Sequence, residues 1–160
     1  MFNVANPRYF MAKAINLRAY RRDDQQAAID IHDRARPIEL RGSCDPRAFL
    51  PLANDPSDLQ EFYSARKFVA EREQRLLGFI GVEDDQVGWL YVDPDCARQG
   101  IGRQLLRHAL AVIDRAAQVY VLEGNQPAIA LYLSEGFRLL DSFASDNRGY
   151  PCRVLMLVRP

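Results

Sequence analysis

The sequence is poor in the residues that build metal centres and cross-linked scaffolds. Three cysteines (Cys44, Cys96, Cys152) and two histidines (His32, His108) are spread over 160 residues. An odd number of cysteines at wide spacing gives neither a ligand pair nor a disulfide framework, so no metal is expected and a reducing compartment is the default. Charge of one sign is lacking too. Lys plus Arg and Asp plus Glu each number 21, for a net charge of zero, whereas a general nucleic-acid binder carries a basic excess. No apolar run approaches the roughly 18 residues of a membrane span. The first ten residues lack the charged-then-apolar order of a secretory signal. The expectation is a cytoplasmic protein with no nucleic-acid and no membrane partner. What is present is globular: 48% hydrophobic and 26% charged residues, in a length that suits one domain and can bury its own core.

Along the chain, residues 1–14 read as an N-terminal arm in which Asn3, Asn6 and Pro7 interrupt any periodicity, and Met11 is a second candidate start. Residues 15–160 read as a single domain. Ile15 to Tyr20 alternates as a strand does. Asp23-Asp24 offers a cap to an amphipathic helix carrying Ala27, Ala28, Ile31 and Ala35, which Pro37 is expected to end. Residues 38–65, with Gly42, Pro46, Pro51 and Pro56, read as short helical pieces between loops. Three strands follow with two- or three-residue connections, at 67–72, 76–82 and 87–92, an antiparallel meander. From Gly102 the apolar positions Leu105, Leu106, Ala109, Leu110, Ile113 and Ala117 have helical spacing. A short strand (119–122) leads to a helix capped by Asn125, with Pro127 in its first turn and Gly136 as its stop. Two final strands, 137–143 and 153–158, are joined by 145–149. The order β-α-(α)-β-β-β-α-β-α-β-β predicts an α/β chain with a mixed sheet covered by helices.

One stretch points to chemistry: Val92-Asp93-Pro94 through Arg98-Gln99-Gly100-Ile101-Gly102-Arg103. A strand ends, a polar loop turns, two glycines follow one residue apart, and a long helix starts. Glycine lets the backbone approach a ligand closely. The first N–H groups of a helix have no internal partner, and the dipole adds positive potential there. Arg98 and Arg103 add full charge. This is a cradle for an anion such as a pyrophosphate. A plain strand-to-helix turn is the structural alternative. The third glycine of a dinucleotide fingerprint and the Gly-Lys-Ser/Thr ending of a phosphate-binding loop are both absent.

The block from Val92-Asp93-Pro94 to Gly100-Ile101-Gly102-Arg103-Gln104-Leu105-Leu106 resembles the acyl-CoA-binding motif of the GCN5-related N-acetyltransferase (GNAT) family. A second block, Asn125-Gln126-Pro127-Ala128-Ile129-Ala130-Leu131-Tyr132-Leu133-Ser134-Glu135-Gly136-Phe137, is similar to the same family. The resemblance implies a GNAT fold: a central, mostly antiparallel sheet of about six or seven strands flanked by about four helices. It implies an acetyl-CoA-dependent N-acetyltransferase acting on a primary amine of a small molecule or an exposed lysine, in a ternary complex without a covalent enzyme intermediate. Backbone N–H groups of Arg98, Gln99, Gly100, Ile101, Gly102 and Arg103 would hold the pyrophosphate. The strand edge at Leu90, Tyr91 and Val92 would pair with the pantetheine arm, Asn125 would lie beside it, and Tyr132 would give a hydrogen bond or a proton to the departing thiolate. Core packing is the alternative for Tyr132. Ala97 stands where the family often has Gln or Arg, which implies weaker affinity. Tyr120 stands where members that acetylate protein N-termini often carry a glutamate, which weighs against that acceptor. Other outcomes are a CoA-binding regulatory domain, another acyl donor or a protein N-terminus as acceptor. A homodimer is compatible with the resemblance.

No base for the amine emerges from the sequence. Glu83, Asp84 and Asp85 read as a solvated turn, Glu123 is the best-placed carboxylate, His32 lies on a helix expected to border the cleft, and His108 reads as solvated. Trp89 reads as core, Tyr91 as a cleft residue, and Cys96 as a solvent-facing thiol. The acceptor cleft is expected from residues 24–65 and 143–153, where Arg34, Arg36, Glu39, Arg41, Asp45, Asp55 and Asp58 mix both signs.

Overall fold

The structure, a computed structural model, describes residues 13–160. The arm expected over 1–14 thus lies, except for Lys13 and Ala14, outside the described residues, as does Met11. Seven strands form one sheet: β1 (Asn16–Ala19), β2 (Arg66–Arg72), β3 (Arg75–Glu83), β4 (Gln86–Val92), β5 (Ala117–Leu122), β6 (Arg138–Asn147) and β7 (Tyr150–Arg159). Their spatial order is β1-β2-β3-β4-β5-β7-β6. Every pairing is antiparallel except β4 with β5. The helices are α1 (Gln25–Leu40), α2 (Pro56–Ser64), α3 (Ile101–Leu110) and α4 (Gln126–Ser134). This is the mixed α/β architecture that the element order predicts.

The central strand shows why the sheet is covered on both sides. In β3 every residue from Leu76 to Val82 is buried, and a strand buried on both faces needs such a continuous apolar run. One face carries Phe79 and, from neighbouring strands, Val69 and Trp89, packed with Ala28, Ile29 and Ile31 of α1 and Phe62 of α2. The other carries Leu77, Ile80 and Val82, packed with Ile101, Leu105, Leu106 and Ala109 of α3 and Tyr132 of α4. Gly78 permits the closest approach of α3: a Cβ there would lie 2.7 Å from the Tyr91 carbonyl oxygen and 3.2 Å from Leu105 Cδ1.

Several sequence expectations are corrected. Pro37 does not end α1, which continues to Leu40. It lies in the last turn, where little helix remains to be broken. The helix from 101 stops at Leu110, so Ile113 lies beyond it and Ala117 opens β5. Their helical spacing is incidental to two elements in succession. β6 and β7 extend to Asn147 and Tyr150, leaving a turn of Arg148 and Gly149, both at positive φ. The sequence around Ser145–Asn147 reads as loop because the hairpin is exposed on both faces there and carries no apolar alternation. Cys96 is buried in the core beneath α3 rather than facing solvent. His108 is half-buried, its ring 4.6 Å from that of Phe68.

Leu105 is fully buried at the centre of the α3 face. Leu105→Ala is expected to cost about 2–5 kcal/mol, read as a lower urea midpoint with an unchanged m-value.

Candidate functional site

The sheet is whole except at one place. β4 pairs with β5 only through Gln86–Gln118 and Val87–Val119. Beyond them the strands part, although β4 continues to Val92 and β5 to Leu122. The cause is local. In the β3–β4 ladder Val82 faces Val87 and Gly81 faces Trp89, so Gly88 is an extra residue without a partner. A bulge of this kind bends its strand and re-aims the residues after it. From Gly88 onward the β5-side edge of β4, including Leu90, Tyr91 and Val92, is open.

The cradle starts where β4 ends. Asp93 is buried and held on several sides. Its carboxylate accepts from Arg34 Nη1 at 2.8 Å, Arg75 Nη2 at 2.9 Å and the Asp95 N–H at 2.9 Å. Its own N–H donates to the Leu77 carbonyl at 2.7 Å. A single 3-10 turn, Pro94–Cys96, follows, and then the loop crosses to α3. Arg98 and Gly100 both have positive φ, 61° and 76°. Gly100 is the residue that caps α3, in a left-handed conformation that glycine adopts at little cost. The first bond of α3 runs from the Gln104 N–H to the Gly100 carbonyl at 3.1 Å. Among the described residues, the six successive N–H groups from Arg98 to Arg103 have no protein acceptor. That many orphaned donors around a helix start suit an anion with several oxygens.

The two arginines diverge. Arg98 is exposed at the loop. Arg103 turns its guanidinium away to Glu135, with Ser134 Oγ at 3.0 Å, while Arg107 binds the same Glu135 at 2.9 Å. These contacts tie α3 to the end of α4, so the Arg103 side chain does not add charge to the cradle. Its N–H remains available.

Gly102 joins the cradle to the strand edge. A Cβ there would meet Leu131 Cδ2 of α4 at 3.5 Å and Val92 Cγ2 of β4 at 3.6 Å. The cradle, the open edge of β4 and helix α4 are therefore contiguous. On α4, Asn125 caps the helix as the sequence predicts, accepting from the Ala128 N–H at 3.4 Å. Tyr132 lies in the core, its ring 5.4 Å from that of Phe137. Its hydroxyl has no hydrogen-bond partner among the described residues. Burial, and next the charge of Glu39, push its pKa above the usual phenol range, so it remains protonated at neutral pH and able to donate.

On the α1 side of the gap lies a cleft of about 230 Å³ lined by His32, Arg36 and Glu39 of α1, Asp58 and Glu61 of α2, and Trp89, Tyr91 and Tyr120 among the sheet residues. The Tyr91 hydroxyl donates to Glu39 Oε2 at 2.9 Å, and Arg36 Nη1 approaches the same oxygen at 2.8 Å. Burial and the Glu39 charge raise the Tyr91 pKa. His32 is buried against the Trp89 and Tyr91 rings, with Nδ1 2.8 Å from Asp33 Oδ1. Asp58 and Glu61 have no basic side chain within ion-pair distance among the described residues. Burial first, and neighbouring carboxylates second, raise the pKa of both. Tyr91 thus lines the cleft and Trp89 packs in the core, as expected. Glu123 does not enter the cleft lining: it is about half exposed and sits 3.5 Å from Arg153. Glu83 and Asp84 are exposed at the β3–β4 turn.

Residues 63–139 match the family described as acetyltransferase (GNAT) domain. The matched stretch contains β2 to β5, α3 and α4, and so both the parted strands and the cradle. The peptidyl-lysine N-acetyltransferase YjaB of Salmonella typhimurium is 32% identical over 84 residues, covering 52% of this chain and 57% of that protein. The chain thus spans less than two thirds of that relative's length. A GCN5-related N-acetyltransferase from Rhodopseudomonas palustris superposes with a TM-score of 0.80 at 14% identity, over 94% of this chain and 98% of that one. A PaiA N-acetyltransferase from Thermoplasma acidophilum, solved in complex with coenzyme A, gives a TM-score of 0.71 at 17% identity, over 91% and 98%. At these identities the likeness is one of fold. No helix among the described residues is long and apolar enough to cross a membrane, and none of their His, Cys, Asp and Glu side chains form a group of three or more suited to a metal.

The clamp on Asp93 has a pH signature. The Arg34 guanidinium, assisted by the Asp95 N–H and Arg75, holds the Asp93 carboxyl well below the usual carboxylate range despite its burial. A depressed folded pKa stabilises fully above the unfolded value of about 4. That contribution is lost as pH falls toward the folded value. Asp93→Asn is expected to destabilise at pH 7 and to approach wild type at low pH, measured by urea unfolding across the acid range.

Proposed function

We propose that this protein is an acetyl-CoA-dependent N-acetyltransferase that acetylates a primary amine of a small molecule or an exposed lysine. The observation that carries the reading is the run of six partnerless N–H groups beside an open strand edge. A diphosphate takes up the amides of Arg98, Gln99, Gly100, Ile101, Gly102 and Arg103. The pantetheine arm extends along Leu90, Tyr91 and Val92, pairing with main-chain groups that β5 leaves free, with Asn125 at its side. The cofactor supplies the thioester, whose acetyl carbon is the electrophile, and no metal takes part.

The chain's own residues do the rest. Alignment of donor and acceptor in one cleft replaces an enzyme nucleophile. Tyr132, protonated at neutral pH and with its hydroxyl unengaged by the protein, gives a hydrogen bond or its proton to the leaving sulfur. The buried ring fixes where that hydroxyl points, so packing and donation are compatible roles. Asp58 and Glu61, with no basic partner, favour an acceptor that arrives with positive charge. The matched YjaB relative, described as a peptidyl-lysine N-acetyltransferase, supports a lysine as one such acceptor. A single domain over 15–160 fits the seven-stranded sheet, and the odd number of widely spaced cysteines supports a reducing, cytoplasmic setting.

Titration with acetyl-CoA is expected to shift the backbone amide resonances of Arg98 to Arg103, and addition of an amine panel to release free thiol. Absence of any amide response at high cofactor concentration overturns the reading. Tyr132→Phe is expected to keep the amide response while kcat falls roughly 10²–10⁴-fold.

A further inference from the structure

Helix α1 brings His32, Arg36 and Glu39 to the same cleft, at spacings of four and three residues that share a helix face. Of the carboxylates around the cleft, Glu39 is bound in a distinctive way. The Tyr91 hydroxyl donates to Oε2 at 2.9 Å, and Arg36 forms an ion pair with the same oxygen, its Nη1 2.8 Å away. Oε1 accepts no hydrogen bond among the described residues. The side chain is about one-fifth exposed, so a fixed carboxylate presents one open oxygen to the cleft. Each donor is held in turn: Tyr91 by the His32 and Phe79 rings, 4.9 and 5.8 Å away, and Arg36 by the Glu39 ion pair itself.

Building on the acetyltransferase reading, we propose that Glu39 Oε1 is the proton acceptor for the attacking amine. Through the Tyr91 hydroxyl, Glu39 is tied to the open edge of β4, along which the pantetheine arm of the proposed donor extends. The alternatives are engaged elsewhere. Asp33 accepts from His32 and from the Leu52 N–H at 2.9 Å, Asp55 binds Arg148 at 2.9 Å, and Glu123 is at the surface with Arg153. Asp58 and Glu61 line the cleft from α2, and neither carboxylate is hydrogen-bonded to β4 among the described residues.

A carboxylate is too weak to strip a free ammonium, since the two pKa values differ by roughly 6 units. The amine therefore loses its first proton to solvent on entering the cleft. Its nitrogen then attacks the thioester carbonyl carbon, and the new C–N bond leaves the nitrogen positive and far more acidic. At that stage Oε1 takes one N–H proton. The C–S bond breaks with its electron pair going to sulfur, and Tyr132 protonates the sulfur. The proton on Glu39 returns to Tyr132 through solvent. The balance is amine plus acetyl-CoA to acetamide plus CoA thiol.

Glu39→Gln keeps the shape but removes the acceptor. It is expected to lower kcat roughly 10²–10⁴-fold, while the acetyl-CoA response of the Arg98–Arg103 amides stays that of wild type. Glu39→Ala is expected to regain part of the lost rate when formate is added, a rescue that a purely structural role would not show. In wild-type protein loaded with CoA, Nα-acetyllysine methylamide is expected to shift the ¹³C resonance of the Glu39 carboxyl. Wild-type kcat in Glu39→Gln, or a Glu39 carboxyl that does not respond to the amine, overturns the proposal. Loss of thiol release with every amine in wild type overturns the acetyltransferase reading instead, and the carboxyl titration still decides whether Glu39 meets an amine.

Discussion

The parting of β4 from β5 is the constraint on which the rest of this structure depends. One unpaired residue, Gly88, shifts the β3–β4 register, and after Val87 the two central strands no longer share hydrogen bonds. Buried backbone groups without partners are costly. A sheet opened at its centre is therefore tolerated only if something else covers the exposed edge, whether water or an extended ligand able to act as a strand. The same opening separates the two faces of the molecule. The cradle and α4 lie toward one, and the carboxylate-lined cleft toward the other.

Rigidity around the opening comes from two charged clamps. Asp93, buried at the end of β4, collects Arg34 from α1 and Arg75 from β3, so the loop leading to the cradle is tied to both neighbouring elements. Glu135 collects Arg103 and Arg107 of α3, which fixes α3 against the end of α4. The arginines that a sequence reader assigns to the anion are thus partly spent on structure. What remains for an anion is main chain: amides whose positions follow from Gly100 and the helix start, and which do not depend on side-chain rotamers.

Much of the site was legible because it rests on local rules. A strand ending at Val92, glycines at 100 and 102, and an amphipathic start at Ile101 specify a cradle whatever the surroundings. Asn125 and Pro127 specify a helix start, and the structure has them there. That residues 24–65 contribute Arg36, Glu39 and Asp58 to a cleft with Tyr91 was also legible; their detailed arrangement was not. Glu39, Asp58 and Tyr91 lie on three elements separated by long stretches of chain, and nothing in the spacing of Arg36, Pro37 and Glu39 shows that one oxygen of Glu39 is bound twice while the other is free. Cys96 and His108 depart from expectation for a related reason: a polar neighbourhood in sequence suggests solvent, whereas the packing of α3 on the sheet buries Cys96 and half-covers His108.

Alone, the sequence determined the order of strands and helices and the glycine-bearing turn ahead of α3, since each follows from periodicity, caps and glycine placement within a few residues. Tertiary structure decided where the sheet opens, which carboxylates meet in the cleft and which arginines remain unclamped. Those outcomes depend on register and on contacts between distant segments, and a register shift of one residue at Gly88 leaves no trace in composition or spacing while it redirects every side chain that follows.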